Sequence, residues 1–169
     1  MIFILLRHGH KSMDPPENPN LSVKGHEQAR QLLKMVQDNA LPVPTVCLYS
    51  DKIRTKETLN DLIENFKPKH EIKNELNLRE MNETAQQFRA RVQKLVNLYT
   101  YQASQPENKN QVVYACTHYD WVEEAMTVID SDKNLTSFEF AGWSPAQFIQ
   151  FQIGEDGIWM FKSRGAANG

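Results

Sequence analysis

The sequence predicts an α/β fold, a three-layer α/β/α sandwich on a mostly parallel sheet with an antiparallel hairpin at one edge. Three observations predict it. Short, wholly apolar runs at residues 2–6, 46–49 and 112–116 alternate with longer segments of helical periodicity. Those runs lack polar alternation, as strands buried on both faces do. The C-terminal part instead alternates, Phe148-Ile149-Gln150-Phe151-Gln152-Ile153, and a second run at 158–161 follows Glu155-Asp156-Gly157, which is a hairpin signal.

Each element has its own justification. Residues 2–6 form the first strand, and the proline-rich 13–20 stretch (MDPPENPN) is a loop. Ser22 is placed as an N-cap, and Ala29, Leu32, Leu33 and Val36 recur at helical spacing, so 22–39 is a helix. Leu41-Pro42-Val43-Pro44 stops it. A strand at 46–49 precedes a helix at 52–66, whose buried stripe is Ile53, Leu59, Leu62, Ile63 and Phe66. Pro68 ends that helix, and a weak strand falls at 71–73. The longest helical pattern, 84–103, carries Phe88, Val92, Leu95, Val96 and Tyr99 on one face. A polar linker (104–111), a strand (112–116) and a helix (120–129) follow. Residues 1–162 read as a single domain without repeats, and 163–169 as a flexible tail.

Composition narrows the function. The 169 residues are 40% hydrophobic with a mean hydropathy of −0.58, and the net charge is 19 − 21 = −2. No basic stripe is present, which argues against nucleic-acid binding. The longest apolar run is far short of the about 20 residues that span a bilayer, and no signal peptide is legible. Two cysteines, Cys47 and Cys116, do not make a disulfide framework, so a cytoplasmic, reducing location is expected. Cys116, on an apolar strand, reads as a small buried hydrophobe; His26 and His70 read as exposed and uninvolved; Trp143 reads as a cover for the sheet edge.

In an open parallel sheet, ligands bind beyond the carboxyl ends of the strands. Arg7-His8-Gly9-His10-Lys11 follows the first strand, Ser50-Asp51-Lys52-Ile53-Arg54 the second, and Thr117-His118-Tyr119-Asp120 the strand at 112–116. Arg79-Glu80 and Glu83 lie in the loop after the weak strand. Arg7, Lys11 and Arg54 converging on one rim make an anion site, because a guanidinium presents paired donors to phosphate oxygens. Neighbouring arginines disfavour the protonated histidine and leave a ring nitrogen available as a nucleophile. A second histidine can donate to the same anion, and a carboxyl group can protonate a leaving oxygen. This set needs no metal and no cofactor.

These residues resemble a known family. Leu6-Arg7-His8-Gly9 is similar to the Arg-His-Gly signature of the histidine phosphatase superfamily, which includes the phosphoglycerate mutases and the small SixA-like branch. Leu21-Ser22-x-x-Gly25-x-x-Gln28-Ala29, Tyr49-Ser50-Asp51-x-x-Arg54-Thr55-x-x-Thr58, Leu78-Arg79-Glu80 and Cys116-Thr117-His118 resemble further family segments, in the family's order. The resemblance implies that His8 attacks phosphorus, that Arg7, Arg54 and His118 hold the phosphoryl oxygens, and that Glu80 protonates the leaving alkoxide and then activates the water that hydrolyses the phosphoenzyme, with Glu83 the alternative acid. His10, Lys11, Ser50 and Tyr119 are expected at the substrate rim, where the Ser50 hydroxyl caps the second helix rather than reacting. The chain departs from the pattern at Lys11 (often Thr), Asp51 (usually Pro) and Tyr119 (usually Gly).

The expected activity is therefore a metal-independent phosphohydrolase acting through a phosphohistidine on a phosphorylated small molecule or a phosphoprotein. A SixA-like phosphohistidine phosphatase, a mutase and a non-catalytic binding member are the alternatives. The short connection at 74–83 argues against the closed pocket a mutase requires. Glu80 argues for phosphomonoesters, the open site for a bulky substrate. Nucleotide binding is disfavoured because Gly9 and Gly25 stand alone, with no glycine-rich phosphate loop.

Overall fold

The computed structural model describes residues 1–168. Its elements are β1 (Ile2–Arg7), α1 (Val23–Gln37), β2 (Val46–Tyr49), α2 (Ile53–Phe66), β3 (Lys69–Ile72), α3 (Ala85–Ala103), β4 (Val112–Thr117), α4 (Tyr119–Val128), β5 (Gln147–Ile153) and β6 (Trp159–Ala166). The sheet order is β3-β2-β4-β1-β5-β6. The first four strands run parallel; β5 and β6 run antiparallel on the β1 side.

Strand alternation divides the core in two. Phe3 and Leu5 of β1 face one layer, where they join Val92, Leu95 and Val96 of α3 and Val122 and Ala125 of α4. Ile4 and Leu6 face the other, with Leu32 and Val36 of α1 and Leu59 and Leu62 of α2. The all-apolar run is thus buried from both sides, and truncating a residue such as Leu5 to Ala costs about 2–5 kcal/mol. The Ser22 side chain caps α1 by accepting from the Gly25 N–H, and Thr84 and Gln87 form a capping box on α3. No helix among the described residues is long and apolar enough to cross a membrane.

Three expectations need correction. Ile53, expected in the buried stripe of the second helix, is exposed as the first residue of α2. The weak strand lies at Lys69–Ile72 rather than 71–73, and all four residues are exposed because β3 is the sheet edge and pairs only with β2. Residues 163–166, expected as a loose tail, complete β6 opposite Gln147–Gln150. Their polarity suits an edge strand. Gly165 lies flat against the Phe148 ring, and the Arg164 guanidinium donates to the carbonyls of Glu139 and Gly142. Ala167 is buried, and its N–H donates to the Ala146 carbonyl at 3.0 Å. Gly169, also in the expected tail, lies outside the described residues.

Register places the functional ends side by side. Leu6 and Tyr49 both pair with Cys116, and Arg7 pairs with Thr117. The residues that leave these three strands, His8, Ser50 and His118, therefore emerge together.

Candidate active site

His8 continues β1 by one step. Its N–H donates to the Thr117 carbonyl at 3.0 Å, and its carbonyl accepts from Ala146 at 3.1 Å. The ring is only 5% exposed. Its Nδ1 lies 2.7 Å from the Gly9 carbonyl, which can only accept, so Nδ1 carries the proton and Nε2 the lone pair. Arg54, in the first turn of α2, confirms this tautomer by donating from Nε to His8 Nε2 at 3.2 Å.

The same logic fixes His118. Arg54 Nη2 lies 3.4 Å from His118 Nδ1, and a guanidinium only donates, so His118 Nδ1 accepts. His118 Nε2–H then donates to Ser50 Oγ at 2.8 Å. The two imidazoles meet edge to face at 5.3 Å between centroids. His118 is the N-cap residue of α4, yet its side chain makes no capping bond and is left to the site. As arranged here, His118 orients Arg54. Ser50 Oγ accepts from the Lys52 N–H at 3.2 Å, but Lys52 is itself the N-cap of α2, and no side chain among the described residues caps that helix.

Arg7 is half-buried. Its Nη1 donates to the Trp143 carbonyl at 2.6 Å, and its guanidinium lies 5.3 Å from the Tyr119 ring centroid. Its Nε is buried without a protein partner. Trp143 is buried in the α3/α4 core layer and also fixes this arginine.

Burial and charge act together on the histidines. Burial, the largest cause, with Arg54, Arg7 and Lys11 adding to it, lowers the His8 pKa to about 3 against the opposing Gly9 bond. Burial, then His8 and Arg54, lowers His118 to about 2. The neutral, nucleophilic imidazole thus owes more to desolvation than to the arginines that the sequence puts forward.

A cavity of about 250 Å³ opens over these groups, lined by Arg7, His8, Lys11, Arg54, Leu78, His118, Tyr119 and Asp120. Lys11 and Tyr119 are exposed and line it. His10 and Ser50 do not line it. His10 is exposed, with Nδ1 2.7 Å from Ser22 Oγ.

Glu80 and Glu83 do not reach the cavity either. Glu80 is exposed, and its N–H donates to Glu83 Oε1 at 3.2 Å. Glu83 is clamped by Arg91 of α3, at 2.9 Å from Nε and 2.8 Å from Nη2, and this bonding holds its carboxyl below the usual range. Arg91 also donates to the carbonyls of Glu75, Asn77 and Leu78, which fixes the loop up to the cavity wall. Nothing local in the sequence marks Arg91. Asp120 lines the cavity although the sequence reading assigns it no role.

The motif glycines have steric reasons. A Cβ on Gly25 would collide with the His10 carbonyl. Gln28 Oε1 accepts from the His10 N–H at 2.8 Å, and Thr58 Oγ1 accepts from the Gly9 N–H at 3.0 Å. The segments at 21–29 and 54–58 therefore brace the backbone just after His8.

A neutral buried imidazole facing a cavity with three cationic side chains suits nucleophilic attack on an oxyanionic centre. Among the described residues, no cluster of three or more His, Cys, Asp or Glu side chains could hold a metal ion.

The family model of the histidine phosphatase superfamily (branch 1) matches residues 3–83. No curated protein matches the chain. Among solved structures, the protein histidine phosphatase SixA complexed with tungstate aligns at 14% identity with a TM-score of 0.71, covering 99% of this chain and 97% of that one. Phosphoserine phosphatase from Entamoeba histolytica aligns at 11% identity and 0.71, covering 98% and 96%. The mycobacterial glucosyl-3-phosphoglycerate phosphatase complexed with VO3 aligns at 16% and 0.69, covering 98% and 99%. At these identities the likeness is one of fold.

Proposed function

We propose that the chain is a member of the histidine phosphatase superfamily, whose family model matches residues 3–83, and that it is a metal-independent phosphatase that forms a phosphohistidine on His8. The observation that carries this reading is the His8 ring: buried, neutral, with its Nε2 lone pair toward Arg54 in a cavity that Arg7 and Lys11 also line. In this reading the phosphoryl group enters the cavity and its oxygens take donors from Arg7 and Arg54. His8 Nε2 attacks phosphorus in line, and the P–O or P–N bond to the leaving group breaks. Water then cleaves the P–N bond to His8 and releases phosphate. Little covalent chemistry is asked of the protein beyond positioning and charge stabilisation. The solved relatives complexed with tungstate and with VO3 carry oxyanions, in keeping with an anion-binding rim.

A specific observation favours one substrate class. Neither Glu80 nor Glu83 lines the cavity, so neither expected donor stands ready to protonate a leaving alkoxide, and the one carboxylate among the described residues that does line it, Asp120, accepts two backbone N–H bonds. Substrates whose leaving group departs without a proton are favoured, and a phosphohistidine on a protein meets that condition. The exposed mouth at Lys11 and Tyr119 admits a bulky partner and gives no enclosure in which a mutase could retain its intermediate.

The test is hydrolysis of para-nitrophenyl phosphate with excess EDTA, by wild type and His8→Ala. Activity that survives EDTA and falls by at least about 10³-fold in His8→Ala supports the reading; equal activity in both proteins overturns it. Phosphoimidazole should be cleaved faster than a simple alkyl phosphate.

A further inference from the structure

The second half of that cycle requires a proton acceptor, a role the resemblance gives to Glu80, which does not line the cavity. Attack of water on the phosphohistidine forms a P–O bond while the P–N bond breaks and its electron pair returns to His8 Nε2; the water must also lose a proton. Arg7, Arg54 and Lys11 only donate. His8 is itself occupied, and the His118 Nδ1 lone pair is directed at Arg54. Glu80 is exposed away from the cavity, and Glu83 is held by Arg91.

Asp120 is the one carboxylate among the described residues that line the cavity. It sits in the first turn of α4, two residues after His118, half-buried. Its Oδ2 accepts from the Arg79 N–H at 2.9 Å and its Oδ1 from the Trp121 N–H at 2.7 Å. These two backbone donors immobilise the side chain, while each oxygen retains a further lone pair. A fixed carboxylate beside the phosphoryl cavity is poised as a general base.

We propose that Asp120 is the catalytic residue that accepts the proton of the water that hydrolyses the His8 phosphoenzyme. The proton moves from water to the Asp120 carboxylate as phosphate forms, and is then released to solvent, restoring neutral His8. This inference rests on the phosphohistidine reading above. With a leaving group that needs no proton it separates the two half-reactions: transfer to His8 does not use Asp120, and hydrolysis does.

Stopped-flow mixing of wild type and Asp120→Asn with excess para-nitrophenyl phosphate, in EDTA, resolves them, because nitrophenolate leaves without a proton donor. For Asp120→Asn the expected result is a burst approaching one nitrophenolate per site, followed by a steady state about 10²-fold below wild type. Hydroxylamine, already nucleophilic without deprotonation, should restore turnover. Asp120→Ser, whose hydroxyl can still accept from the Trp121 N–H, should behave alike, and Asp120→Glu should recover part of the steady-state rate. A steady state within about 3-fold of wild type overturns the proposal, as does a burst slowed together with the steady state, which marks a structural role. A failure of the underlying reading looks different: no His8-dependent phosphoenzyme then forms in any of the proteins.

Discussion

Two sets of polar residues follow strand ends in this molecule, and they are built differently. His8 and His118 leave β1 and β4 directly and Arg54 stands in the first turn of α2, shortly after β2; the strand registers bring these ends together, and each of the three is buried and bonded to another. The loop at 77–84 follows the exposed edge strand β3 and is held chiefly by one side chain, Arg91. The first set is positioned by the sheet, the second by a clamp. A side chain fixed by parallel strand pairing inherits the precision of the backbone ladder, whereas a side chain on an edge loop goes where its nearest charge takes it. For Glu83 that charge is on α3 rather than in the cavity.

The largest expected effect falls on the sheet-positioned set. Arg54→Ala removes the donor to His8 Nε2 and the partner of His118 together, and should lower the rate of phosphoenzyme formation by about 10²–10³-fold in a single-turnover assay. A loss below about 5-fold would break the comparison.

Arg91→Ala should behave in the opposite way. It frees the Glu83 carboxylate and several loop carbonyls, and should cost about 1–3 kcal/mol in urea unfolding. Phosphoenzyme formation should stay within about 3-fold at temperatures where the variant is folded. A large loss of rate without loss of stability would show that the loop is part of the chemistry.

The pH profile sharpens the point. Because His8 and His118 are lowered to about 3 and about 2, phosphoenzyme formation should not fall between pH 7 and 5, where an ordinary histidine protonates. Stability should move with pH there. Both histidines bind protons in the unfolded chain below about pH 6.5 and remain neutral in the folded one until near their lowered values. The unfolded state therefore gains protons as pH falls, and the protein should lose stability from about pH 6.5 downward. A rate that drops with a midpoint near 6.5 would contradict the buried, neutral nucleophile.

Glu80→Gln should have the smallest effect, less than about 3-fold on either para-nitrophenyl phosphate or an alkyl phosphate, since Glu80 does not line the cavity. A selective loss on the alkyl phosphate would restore it as the proton donor.

The same contrast explains what could be read from the residues alone. The buried strands were legible because runs such as Ile2-Phe3-Ile4-Leu5-Leu6 are apolar at every position, and the strand-end residues follow from those runs. The helix start at Ser22 was legible because a capping side chain is local, and the helix from 84 because its apolar residues recur at helical spacing. Residues 163–166 were not, since an edge strand needs no apolar alternation and depends on Phe148 and Arg164 from elsewhere in the chain. Nor was the orientation of Glu83, which is set by an arginine on the far side of a helix start, or the place of Asp120, which only the packing of α4 against the loop at 77–79 brings to the cavity. Burial as the chief cause of the lowered His8 pKa was also hidden, because a sequence displays neighbouring charges but not the desolvation around them.

The most direct test of the central claim is to quench wild type and His8→Ala during turnover at alkaline pH, where phosphohistidine survives, and to locate the phosphoryl group by mass spectrometry. The account predicts a single acid-labile phosphoryl group on His8 in wild type and none in His8→Ala. Steady turnover by wild type with no phosphoenzyme, or a phosphoryl group on any other residue, would contradict it.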